Sequence, residues 1–168
     1  LAKRRGVLAL ARRYGVPVLE DDPYGELRFA GERVPSIKSL DDGNNVIYAA
    51  SFSKILCPGM RLAFCACDET LAKSLVVAKQ GSDVHTNVWA QRVCAELLRT
   101  MDMDAHIRAV SAMYGRKAGL MAQLLQEKCP QVSFEMPQGG MFLWATLPPV
   151  VPVPEFVQAC LDEKLAVI

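Results

Sequence analysis

Val46-Ile-Tyr-Ala-Ala50 is apolar throughout and runs directly into Ser51-Phe-Ser-Lys54, and this junction most narrows what the chain can fold into. A short apolar run without polar alternation suits a strand buried on both faces, as in a parallel sheet covered by helices. Val16-Pro-Val-Leu19 is a second such run, and it enters Glu20-Asp-Asp-Pro-Tyr24, an acidic turn. Ligands of open α/β sheets bind at the carboxyl ends of strands, so both polar turns are candidate sites.

The first turn holds Lys54, Ser51 and Ser53, followed by Cys57-Pro-Gly-Met-Arg61. A lysine at the end of a buried strand is costly unless it is paired, neutralised or used covalently. Desolvation and a nearby cation lower an amine's pKa and make it a nucleophile toward an aldehyde. Arg61 and the two hydroxyls suit a phosphate. An aldehyde that carries a phosphate points to pyridoxal 5′-phosphate (PLP). On this segment alone, a surface turn with a solvated Lys and Arg explains the residues as well. Asp21 and Tyr24 favour the cofactor. PLP needs a carboxylate beside its pyridine nitrogen, since a protonated ring is the better electron sink, and it gains from a phenol at its ring oxygen. The bland alternative for Asp21-Asp22-Pro23 is a solvated Asx-type turn.

With these residues in place, the chain resembles a fold-type I PLP enzyme of the class I/II aminotransferase family, nearest the 2-aminoadipate/kynurenine/aromatic aminotransferase group. The resemblance rests on Glu20 to Phe29, Pro35 to Leu40, Val46 to Phe64, Lys79 to Asn87 and Pro137 to Trp144. It implies an α/β fold: the C-terminal part of the PLP-binding large domain, a mostly parallel sheet with helices, plus most of an α+β small domain. The implied division is 1–85 for the end of the large domain and 86–168 for the connecting helices and truncated small domain. Residue by residue, it makes Lys54 the cofactor-anchoring lysine, Asp21 the pyridinium partner and Tyr24 the ring-oxygen partner. Ser51, Ser53 and Arg61 serve the cofactor phosphate.

The implied activity is transamination between an amino acid and a 2-oxo acid, in a full-length parent that is a homodimer. Leu1 is not an initiator Met, and Ala166-Val-Ile168 reads as mid-strand, so the chain reads as a fragment. The family's small-residue phosphate loop, its ring-stacking aromatic, an asparagine near the ring oxygen and the arginine that grips the substrate α-carboxylate have no counterpart in it. Two other classes stay open on the same fold: the PLP-sensing domain of a winged-helix transcriptional regulator, and a PLP-dependent lyase. The Pro23-Tyr-Gly-Glu-Leu27 wording leans toward the free enzyme.

Composition excludes some partners. With 19 basic and 18 acidic residues the net charge is +1, so no broad field favours nucleic acid. Lys3-Arg4-Arg5 and Arg12-Arg13 read as the wet face of an N-terminal helix. No run is long enough to span a membrane, and no signal-peptide pattern opens the chain. The six cysteines match neither a zinc site nor a C-x-x-C pair, so no metal is expected and a reducing, cytoplasmic setting fits.

Periodicity and capping signals predict helices over about 2–14, from Asp68-Glu69-Thr70 to about 79, 87–100, 104–128 and 155–164. Met103 to Ala105 is the expected joint between the third and fourth. Strands are predicted at 16–20, 46–50, 62–67 (antiparallel), 132–136 and 141–147, the last two around the Gln138-Gly-Gly140 turn. The Met-containing stripe from Ile107 to Leu125 and Trp144 are expected in the core. His85 is read as helix-entry or interface packing and His106 as a surface residue. Gly139-Gly140 suits either a close substrate approach or a simple turn.

Overall fold

The computed structural model describes the whole chain from Leu1 to Ile168. Helix α1 (Ala2–Tyr14) ends at Gly15, whose left-handed φ of 61° closes the last turn through its N–H to Ala11 and Arg12 carbonyls. Only glycine enters that conformation without a Cβ penalty, so the chain turns here into strand β1 (Val18–Asp21). The crossover from Asp22 to Asn45 returns the chain to β2 (Val46–Ser51), which pairs parallel with β1. Strand β3 (Ala63–Ala66) then pairs antiparallel on the other side of β2, giving the order β1-β2-β3.

Side-chain hydrogen bonds shape the crossover. The Glu20 carboxylate accepts from the Ile37 and Lys38 N–H groups at 2.8 and 2.9 Å, and the Asp41 carboxylate accepts from Gly43 and Val46. Burial of Asp41 opposes its ionisation, but those two N–H bonds, Arg12 and Lys38 outweigh it and hold its carboxyl below the usual range. Arg12 and Arg4 tie α1 to the same segment, Arg12 through Asp41 and Arg4 through the Pro35 carbonyl.

The C-terminal half is helical. α2 (Glu69–Ser82) starts at Asp68, whose carboxylate accepts from the Thr70 and Leu71 N–H groups. Asn87 caps α3 (Val88–Thr100) and Asp102 caps α4 (Met103–Lys128) in the same manner. The joint between α3 and α4 is therefore Met101-Asp102, just before the predicted Met103. A two-stranded ladder, β4 (Ser133–Phe134) with β5 (Ala145–Thr146), precedes α5 (Val153–Asp162).

These last strands are shorter than the predicted 132–136 and 141–147. Residues 138–140 leave the ladder and pair with the segment after Tyr24: Phe29 and Ala30 N–H groups donate to the Gln138 carbonyl, and Gly140 N–H donates to Leu27. Trp144 is 84% exposed, not core: it lies just before the two-residue β5, and no element of the chain covers it. The α4 stripe is likewise only partly covered, with Leu120, Met121 and Leu124 exposed and Ser111 and Ala122 buried. Leu27 and Val46 are fully buried at the meeting of crossover and sheet.

Candidate active site

Because β1 and β2 run parallel, their carboxyl ends open at one edge, and the two turns singled out from sequence stand side by side there. Asp21 is paired with Ala49, and Ser51 lies two residues further along β2, so Asp21, Ala49 and Ser51 share one face of the sheet. Asp21 is exposed on that face and Ser51 is half-buried.

Beyond Ser51 the chain turns sharply. The Ser51 hydroxyl donates to the Leu62 carbonyl at 3.3 Å and accepts the Ser53 N–H at 3.1 Å. Leu56 and Cys57 N–H groups both return to the Phe52 carbonyl, closing a tight turn that carries Lys54. Lys54 is half-buried and enters none of the chain's ion pairs, which leaves its amine free. The Pro58–Met60 turn of 3-10 helix then places Arg61 in the left-handed region, φ 52° and ψ 43°. That conformation is costly for a residue with a Cβ. It swings the guanidinium back over the turn, where Nη1 lies 3.5 Å from the Ser53 hydroxyl and donates to the Pro58 carbonyl at 3.2 Å. Two hydroxyls and one exposed guanidinium thus gather around the turn that carries the free Lys54 amine, a donor set matched to a phosphate and an aldehyde.

On the β1 side, Asp22 N–H extends the ladder to the Ala49 carbonyl, and the Asp22 carboxylate accepts the Tyr48 hydroxyl at 3.2 Å. Burial, then the charge and hydrogen bond of Asp22, push the Tyr48 phenol up to about 12. Tyr48 and Asp22 face away from Asp21, into a polar cavity of about 520 Å³ that also takes in Arg4, Arg28 and Ser36. None of the six residues named from sequence lines that cavity. Tyr24 is half-buried, with its ring edge-on to Phe142 at 5.7 Å. Neither Asp21 nor Tyr24 is hydrogen-bonded to Lys54 or Arg61; they meet only through the shared sheet edge.

Three contacts had no sequence signal: Phe142 against Tyr24, Arg28 to Gln138, and His106 to Ile55. The last corrects the surface reading of His106, which is half-buried with Nε2 2.8 Å from the Ile55 carbonyl. His85 is exposed, with Nδ1 3.0 Å from the Thr86 carbonyl next to it.

The family model described as Aminotransferase class I and II matches residues 1–168. The chain belongs to that aminotransferase family. Among its relatives, aromatic-amino-acid aminotransferase 1 of Thermococcus litoralis is 40% identical over 147 residues, covering 87% of this chain and 35% of the relative. The 2-aminoadipate transaminase of Thermus thermophilus is 36% identical, covering all of this chain and 43% of that protein. Crystalline kynurenine aminotransferase from Pyrococcus horikoshii, in complex with PMP, superposes with a TM-score of 0.93 at 35% identity, over 100% of this chain and 42% of that one. The aminotransferase chain thus spans about two-fifths of the length of such relatives, and it has the mixed α/β fold of the corresponding part.

Proposed function

We propose that this aminotransferase segment forms the lysine side of a PLP site, and that the full-length protein carrying it transfers an amino group between an amino acid and a 2-oxo acid. The observation that carries the reading is the shared edge of β1 and β2, where the Asp21–Tyr24 turn lies beside the turn that carries Ser51, Ser53, Lys54 and Arg61. The relatives' names and the PMP in the Pyrococcus horikoshii structure support it.

PLP, when bound, supplies an electron sink that stabilises negative charge at the substrate Cα. Lys54 would anchor the cofactor aldehyde, and its amine would serve as the base that moves the substrate Cα proton. Asp21 holds a proton at the pyridine nitrogen. Tyr24 would donate to the ring oxygen, with its own ring packed at right angles to that of Phe142. Ser51, Ser53 and Arg61 bind the phosphate and orient the ring for that proton transfer. We further assign residues 1–85 to the large domain and 86–168 to the connecting helices and small domain, and we place the parent as a cytosolic homodimer. No helix of the chain is long and apolar enough to cross a membrane.

The test is borohydride reduction of the full-length protein with PLP, followed by peptide mapping. The reduced adduct is expected on Lys54. Lys54→Ala should lose it, with activity falling by about 10²–10⁴-fold, the usual worth of a positioned acid–base group. Equal labelling of another lysine sinks the assignment. A winged-helix segment upstream and no amino-acid turnover would move the reading to a sensor.

A further inference from the structure

Helix α4 touches both cofactor-side turns. Its buried Ser111 hydroxyl donates to the Glu26 carbonyl at 3.4 Å, and Gly115 lies under the Phe29 ring, so α4 holds the segment that follows Tyr24. One turn nearer its N-terminus, His106 reaches the other turn, and its Nε2 is 2.8 Å from the carbonyl of Ile55, the residue after Lys54. A carbonyl only accepts, so Nε2 carries the hydrogen. No backbone N–H reaches that carbonyl; His106 is its only donor in the chain.

We propose that His106 is a positioning residue for Lys54: its Nε2–H clamps the Ile55 carbonyl and so restrains the turn that carries the Lys54 side chain. The proposal rests on the reading of Lys54 as the cofactor-anchoring lysine. The physical case is the tightness of the turn. Phe52 O already binds Leu56 and Cys57 N–H groups, so the Lys54-Ile55-Leu56 peptides are held on one side by backbone and on the other by His106 alone. Without that donor the half-buried carbonyl loses its one partner in the chain, and the turn that carries Lys54 loosens. A proton-transfer lysine displaced by even about 1 Å loses rate out of proportion to any loss of binding.

The test uses the full-length protein with three variants. His106→Gln places an amide nitrogen near the Nε2 position, His106→Asn places one too short to reach Ile55, and His106→Leu removes the donor at similar size. Three readouts apply: amide hydrogen exchange of residues 53–57 without cofactor, the pH midpoint of the bound cofactor's visible band, and kcat against KM. H106L and H106N should exchange faster in that segment, shift the midpoint, and lower kcat about tenfold with KM within about twofold, the rate equivalent of one hydrogen bond. H106Q should return all three toward wild type. If H106L fails to fold, the H106Q and H106N pair carries the same contrast. Wild-type exchange and midpoint in H106N, or an H106Q as impaired as H106N, overturns the proposal. Wild-type protein that yields no reduced adduct on Lys54 overturns the cofactor reading instead, and the catalytic meaning of the clamp with it, while the exchange data still report the contact itself.

Discussion

Tyr48 illustrates how one half-buried phenol couples the sheet to the acidic turn. Its hydroxyl donates to Asp22, and burial together with that carboxylate raises its pKa to about 12, against about 10 in an unfolded chain. A folded-state pKa above the unfolded one means the stabilisation is full below about pH 10 and is lost as pH rises through about 12. Tyr48→Phe should therefore cost about 0.5–1.5 kcal/mol at pH 7, the net worth of a hydrogen bond, and should flatten the alkaline loss of stability between about pH 10 and 12. Thermal melts of both proteins in the full-length background, taken across that range, check the sign. An unchanged alkaline limb would show that Tyr48 is not the group that titrates.

Among elements, the pairing of 27–30 with 138–140 is the most exacting. A Cβ on Gly139 would lie 2.7 Å from the Leu27 carbonyl oxygen and 3.0 Å from the Arg28 Cα, both backbone atoms that cannot step aside. Gly139→Ala should cost about 1–3 kcal/mol through overpacking, and should weaken PLP binding because Tyr24 and Phe142 flank the displaced strands. A melt and a PLP titration on the full-length variant measure both. What sequence could and could not disclose follows the same division. Asp68 and Gly15 were legible because a cap is a local event, decided by groups within a few residues of the helix end. The Ser51-to-Arg61 turn was legible because its chemistry is contiguous in the chain. Trp144 and the exposed part of the α4 stripe were misread because periodicity marks an apolar face without saying what covers it. His106 was missed because its partner is a main-chain carbonyl 51 residues away, which no side-chain pattern announces. The strands around Gln138 were overextended because Gly139 and Gly140 exchange a hairpin partner for Leu27 and Arg28.

At the scale of the molecule, surface area is the informative quantity. A folded monomer of 18.4 kDa exposes about 8,200 Å² by the usual scaling, and this chain exposes 12175 Å². Large apolar side chains contribute to the excess: Leu19 is 67% and Trp89 77% exposed, and both faces of β3 are open. Patches of that extent drive association. Residues 1–168 expressed alone should therefore elute well above 18.4 kDa and bind a hydrophobic dye. They should also give no visible PLP band and no transaminase turnover, since the residues of the shared edge stand open to water. A monodisperse monomer that turns over amino acids would refute this.

The lacing of Gln138 to the segment after Tyr24 also sets a clock. Arg28 and Gln138 are 110 residues apart, and ribosomes add about 5–20 residues per second. The Tyr24 turn thus emerges about 5–20 s before the strand that completes it exists. During that interval a nascent chain holds its Tyr24 turn without the segment that packs against it, so synonymous changes that slow translation between codons 30 and 138 should alter the yield of active protein while leaving its sequence untouched.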